Sequence, residues 1–300
     1  MEAWKAQQVV SLELAEELIR EQFPSLKPVH IKELGKGFDN TVYQVNEQYV
    51  FRFPRKKVAA KFLEKEKELL PVLAKILPLS IPNPVMVGEA DHGYPWLFLG
   101  YQIVSGKPPS SLCPQDRDQS AASVAYFLKE LHQFPVSEAI RLGVEKDDLH
   151  RPDILNRKPK LNENLEKAYE KGLLKRDDKL DSFIEEVEPI EYEPFVCLTH
   201  GDFHIRNVLI DEDKKISGVI DWGDSHIGHP SVDLSFLFSY FSKKGRERFF
   251  QIYGEVDEQT QTLAKFISIY VSVILLLYGY EFGDDTLVQE AQHSLELAVT

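Results

Sequence analysis

The chain has 300 residues, 43% of them apolar, and a formal net charge of −13; that length suits one large domain or two smaller ones with a sizeable core. No stretch carries the dense Lys/Arg clustering of a nucleic-acid binder, so no nucleic-acid partner is expected. The acidic surface favours solubility and would draw in a small cation.

Residues 11–23 have helical periodicity (Leu12, Leu14, Ala15, Leu18, Ile19), with Ser11 as a cap. Alternating apolar residues follow at 29–31, then a turn, Gly35-Lys36-Gly37-Phe38-Asp39-Asn40, and strands at 41–45 and 49–54. Glycines let a backbone approach phosphate oxygens closely. A G-x-G pair in a hairpin is common without any ligand, so Gly35 and Gly37 gain weight only from what comes later. Arg52 lies between Phe51 and Phe53 and projects to the opposite face, where a cation on a third strand meets the α- and β-phosphates. The helical segment 59–76 carries Glu64, Glu66 and Glu68. Phe62, Leu69 and Leu73 mark its buried side; Glu66 borders that side and is the expected partner of Arg52, while Glu64 and Glu68 face solvent. Pro71 predicts a kink or break.

A strand from Trp96 leads through Tyr101 into a short linker, Gln102, Ile103 and Val104, whose backbone groups are free to read a purine edge. The linker divides a small β-rich N-terminal lobe, residues 1–105, from a large, mostly helical C-terminal lobe, 106–300, in an α+β arrangement. Helices are expected at 119–133, 162–172, 179–187, 233–241, 245–253, 259–280 and 286–298. The charged segment 145–171 reads as a solvated helical insertion. The apolar run 266–280 falls short of the roughly 20 residues that span a bilayer, so it reads as a core helix and no membrane partner is expected. Cys113 and Cys197 lack metal-type spacing, and the N-terminus has no apolar signal core, which together fit a reduced, cytoplasmic protein.

The most informative stretch is His200-Gly201-Asp202-Phe203-His204-Ile205-Arg206-Asn207, which reads H-x-D-x-x-x-x-N, the catalytic-loop spacing of phosphoryl-transfer enzymes. Further on, Val219-Ile220 leads into Asp221-Trp222-Gly223. An alcohol attacking a γ-phosphate must lose a proton, which Asp202 would take. Mg²⁺ takes oxygen ligands, and Asn207 and Asp221 would supply them. A lone H-x-D in a polar hairpin is weak; the asparagine offset, the D-x-G and their order make it specific.

These residues resemble the aminoglycoside and macrolide phosphotransferases, small-molecule kinases with a protein-kinase-like two-lobed fold. The resemblance covers nearly the whole chain, from the glycine turn through Arg52, Glu66 and the His200 loop to Asp233. It implies Asp202 as catalytic base, Asn207 and Asp221 as magnesium ligands, and Arg52 with Glu66 positioning the triphosphate of GTP or ATP. It also implies that His200 and Asp233 brace the catalytic loop. Arg52 departs from the lysine usual in protein kinases. A large residue at the Tyr101 position goes with GTP preference in that family, so GTP is the favoured donor.

Residues 131–140 look most like the macrolide kinases; Asp221-Trp222-Gly223-Asp224 and Tyr278-Gly279-Tyr280-Glu281 look equally at home among aminoglycoside 2″-kinases. The expectation is an antibiotic-resistance kinase acting on a cationic small molecule, leaning to the 2′-hydroxyl of a macrolide's amino sugar. An aminoglycoside O-phosphotransferase is the alternative; a metabolic small-molecule kinase or an inactive nucleotide-binding module lie further off. Asp224, Glu281, Asp284 and Asp285 are the candidate acceptor contacts, and the aromatic segments 236–241 and 270–280 would line an apolar groove. No A-P-E anchor follows Asp221, which argues against protein substrates.

Overall fold

The computed structural model describes residues 6–37, 39–191 and 196–300; Phe38 of the glycine turn and the first residues of the N-terminus lie outside the described residues. Helix α1 (Leu12–Gln22) starts where the Ser11 hydroxyl accepts the Leu14 N–H at 3.2 Å, a side-chain cap for an otherwise orphan donor. It buries Ala15, Leu18 and Ile19. Strands β1 (Ile31–Lys36), β2 (Asn40–Val45) and β3 (Tyr49–Pro54) follow. After them come helix α2 (Lys57–Leu73), β4 (Pro84–Gly88) and β5 (Phe98–Gln102). The strands form one antiparallel sheet in the order β1-β2-β3-β5-β4.

Period-two alternation on β3 fixes what the sheet presents on each face. Phe51 and Phe53 are fully buried, and Phe53 stacks on Phe98 with ring centroids 4.5 Å apart. Arg52, paired in register with Val42 and Leu99, stands on the other face. Helix α2 crosses that face. Pro71 does not break it: the helix runs through to Leu73, because a proline this near the C-terminal end removes only one late backbone bond.

The rest of the chain is mainly helical: α3 (Pro114–Asp118), α4 (Ala121–Gln133), α5 (Val136–Arg141), α6 (Ile154–Glu170) and α7 (Asp178–Glu186). After four short strands come α8 (Ser231–Tyr240), α9 (Lys243–Tyr253), α10 (Glu258–Phe282) and α11 (Asp285–Ala298). The short strands pair as β6 (Cys197–Thr199) with β9 (His226–Gly228) and β7 (Val208–Ile210) with β8 (Ile216–Val219). Helix α10 is long and apolar enough to cross a membrane by length and composition, yet most of it is buried, packed against α6, α8 and α11. It begins at an Asp257 cap and ends at Gly283, whose φ of +69° is the left-handed stop that glycine accepts.

Two expectations are corrected here. The segment 145–171 is not a solvated insertion: α6 buries Ile154, Leu161, Leu165 and Ala168 and packs on α10, and residues 145–147 pair with Ile227 beside the catalytic loop. The aromatic segment 236–241 does not line the cleft between the sheet and the helical part: Phe236, Tyr240 and Phe241 are fully buried. A helix apolar all round belongs in a core.

Candidate active site

The turn after β6 is built around Gly201. Its φ is +84°, and a Cβ there would come within 2.2 Å of the Asp224 carbonyl oxygen, so only glycine fits. Asp233, fully buried in the first turn of α8, accepts the N–H groups of His200 at 2.8 Å and Gly201 at 3.0 Å. Its third partner is His132 Nε2 at 3.1 Å, and His132 Nδ1 is 2.7 Å from the Tyr253 hydroxyl. His200 donates from Nε2 to the Ile220 carbonyl at 3.1 Å and rests against Trp222, ring centroids 4.7 Å apart. The loop is therefore fixed from behind by a buried carboxylate and an indole ring met edge-on.

On the open side, Asp202 Oδ1 lies 3.2 Å from His204 Nε2, and Oδ2 accepts from Asn207 Nδ2 at 2.9 Å. Burial pushes the Asp202 carboxyl up, but the His204 and His200 rings and the Asn207 amide outweigh it and hold the group well below the usual carboxylate range. It is an ionised acceptor at neutral pH. Asn207 Nδ2 also donates to the Asp202 carbonyl at 2.8 Å; with the nitrogen committed twice, Oδ1 is the amide atom left for a cation.

Asp221 follows β8 with φ at +63°, a region a non-glycine residue adopts seldom. Its side chain is 55% exposed, and Arg52 Nη2 approaches it at 3.2 Å. Arg52 Nη1 lies 3.0 Å from both oxygens of Glu66, which is fully buried. The Tyr101 hydroxyl donates to Glu66 Oε2 at 2.7 Å. Helix α2 and strands β3 and β5 thus position one cation over the mouth of the Asp221 loop. Asn207 Oδ1 and the exposed Asp221 carboxylate are hard oxygen donors of the kind Mg²⁺ takes, so this residue set fits that ion.

These groups share a cleft of about 680 Å³ between the sheet and the helical part. Gly37, Arg52 and Tyr101 line it from the sheet side; Asp202, Asn207, Asp221 and Asp224 line it from below. Gly35 is not in the lining, nor are Glu281, Asp284 and Asp285. Asp284 is the cap of α11, accepting the Leu287 N–H at 3.0 Å. Gln102, Ile103 and Val104 reach the cleft wall, but the Ile103 N–H is taken by the Gln48 carbonyl at 3.0 Å.

Several residues went unnoticed in the sequence. His204 sits inside the motif and its position was its signal. Arg151 bridges Asp147 and Asp224, each at 2.7 Å; its i,i+4 spacing from Asp147 is local, but nothing in the sequence marks its reach to Asp224. Burial and the neighbouring Asp202 raise the Asp224 carboxyl despite Arg151.

The model of the phosphotransferase enzyme family (APH) matches residues 30–266. An aminoglycoside 3'-phosphotransferase of Salmonella typhimurium is 29% identical over 150 residues, 47% of this chain and 51% of that protein; the chain spans about half or less of the length of the curated relatives it matches. Solved structures align over nearly all of it. The GDP complex of wild-type aminoglycoside 2'-phosphotransferase-IIIa is 28% identical, with a TM-score of 0.67 over 95% of this chain and 97% of that one. A macrolide 2'-phosphotransferase type I, 20% identical with a TM-score of 0.56 over 96% and 99%, shares the fold. The sheet-plus-helices arrangement is the two-lobed, protein-kinase-like fold of those structures, and with a family match running through both lobes the chain belongs to the phosphotransferase enzyme family.

Proposed function

We propose that this protein is a kinase that transfers the γ-phosphate of a nucleoside triphosphate to a hydroxyl of a cationic amino-sugar antibiotic, and thereby confers resistance. The observation that carries the reading is the ionised Asp202, held between His204 and Asn207 in one cleft with Arg52 and Asp221. Asp202 orients the acceptor hydroxyl and takes its proton as the oxygen–phosphorus bond forms and the nucleoside diphosphate departs. Arg52, braced by Glu66, meets the phosphates. Asn207 and Asp221 would hold Mg²⁺, which when bound neutralises triphosphate charge. The lobes divide at residues 105/106, and the protein acts in the cytoplasm. An inactive module is disfavoured because base, oxygen donors and cation are all assembled.

For the acceptor, an aminoglycoside is favoured. Asp224 adds a further carboxylate to a cleft already lined by Asp39, Asp202 and Asp221, solved structures at 28–29% identity are of aminoglycoside 2'-phosphotransferase-IIIa, and a related complex, of APH(2")-IIia, holds GDP and kanamycin. Glu281, Asp284 and Asp285 lie off the lining and are dropped from the acceptor set. A macrolide is the second reading, supported by Tyr278 in the cleft wall and Phe282 tilted against it with ring centroids 4.5 Å apart. GTP is the proposed better donor because Tyr101 fills the back of the cleft. Product masses from an aminoglycoside panel and a macrolide panel, each with GTP and ATP, test this. Phosphorylated aminoglycoside, formed faster with GTP, is expected; a phosphorylated macrolide alone would reverse the order, and no product from either panel would refute the antibiotic reading.

A further inference from the structure

We infer that Lys65 is a positioning residue that ties helix α2 to the loop carrying Asp221, holding that loop in its metal-binding conformation. This rests on the proposed role of Asp221. Lys65 Nζ donates to the Gly223 carbonyl at 2.8 Å and to the Ser225 carbonyl at 2.6 Å. Its neighbour Glu66 binds Arg52, and Arg52 binds Asp221. Adjacent residues of one helix therefore grip the loop twice, Glu66 through the Asp221 side chain and Lys65 through the backbone beyond it.

The loop is itself a tight unit: the Ser225 N–H and hydroxyl both donate to the Trp222 carbonyl, at 3.1 and 2.7 Å. Fixing Gly223 and Ser225 thus fixes the turn that holds Asp221 at φ +63°, a conformation that persists only where its surroundings over-determine it. A lysine on a helix surface ordinarily keeps its ammonium in water. This one is drawn inward, and burial brings its pKa down to about 8 even though Glu66, Asp224 and Glu145 favour the charge; Arg151 adds to the lowering. A compact ammonium with three donors suits two converging carbonyls, a task a planar guanidinium performs poorly.

The test is Mg²⁺ titration of the binding of a fluorescent GTP analogue to the full chain, in wild type, Lys65→Met, Lys65→Arg and Asp221→Asn. Lys65→Met should raise the Mg²⁺ midpoint roughly tenfold, the size expected for losing hydrogen bonds to a charged group, while binding without Mg²⁺ stays unchanged. Lys65→Arg should fall between. A merely structural lysine would lower the melting temperature and leave the Mg²⁺ midpoint where it was, which overturns the inference. If Lys65→Met does not fold, Lys65→Gln is read by the same criterion. Loss of Mg²⁺ dependence in Asp221→Asn with a wild-type midpoint in Lys65→Met refutes the tether alone. Unchanged dependence in Asp221→Asn refutes the metal reading beneath it.

Discussion

Tyr101 does two things with one side chain. Its ring lines the cleft, and its hydroxyl donates to Glu66, the group that holds Arg52. Substitutions separate the two. Tyr101→Phe keeps the ring and loosens Glu66, so kcat/KM should fall by a similar factor for GTP and ATP. Tyr101→Ala opens the back of the cleft as well, so kcat/KM for ATP should rise relative to GTP. Steady-state kinetics with both donors decide it; an unchanged donor ratio in Tyr101→Ala would remove Tyr101 as the selector. His132 shows the same economy at the back of the catalytic loop, where it bridges Asp233 and Tyr253 without reaching the cleft.

Turns and helices decide how closely the catalytic pieces approach one another. Gly201→Ala would force a Cβ onto the Asp224 carbonyl in a backbone state that alanine resists. It should destabilise the fold by more than about 1 kcal/mol, read by chemical denaturation; a wild-type midpoint would mean that the turn can relax. Much of this level was legible in the sequence. The H-x-D-x-x-x-x-N run places Asp202 and Asn207 by local spacing, β3 alternation places Arg52, and the apolar stripe of α2 singles out Glu66. Lys65 and the link from Arg151 to Asp224 were not legible, because the partners lie 158 and 73 positions away and no periodicity records a long-range contact. The segment 145–171 misled because charges dominate its composition, while the few apolar positions that anchor α6 are widely spaced.

Across the fold, buried ionisable groups set how stability responds to acid. His229 is buried, and its Nδ1 accepts from the Ser231 hydroxyl at 2.8 Å and the Ser231 N–H at 3.3 Å. Burial lowers its pKa to about 4 from the ordinary 6.5. Between those values the unfolded chain binds a proton that the native protein does not, so stability is present above pH 6.5 and declines as pH falls towards 4. The decline attributable to His229 is at most about 3 kcal/mol. His229→Gln should flatten the stability curve in that window, and an unchanged slope in urea melts would show that other groups govern it. The cleft joins the sheet to the helices, and the proposed mechanism draws on both: Arg52 and Tyr101 from one, Asp202, Asn207 and Asp221 from the other. The decisive comparison is phosphoryl transfer from GTP to kanamycin by wild type and by Asp202→Asn, with nucleotide binding measured alongside. Turnover should drop by roughly 10²–10⁴-fold while nucleotide affinity is retained; wild-type turnover in Asp202→Asn would contradict the assignment of the base and the mechanism built on it.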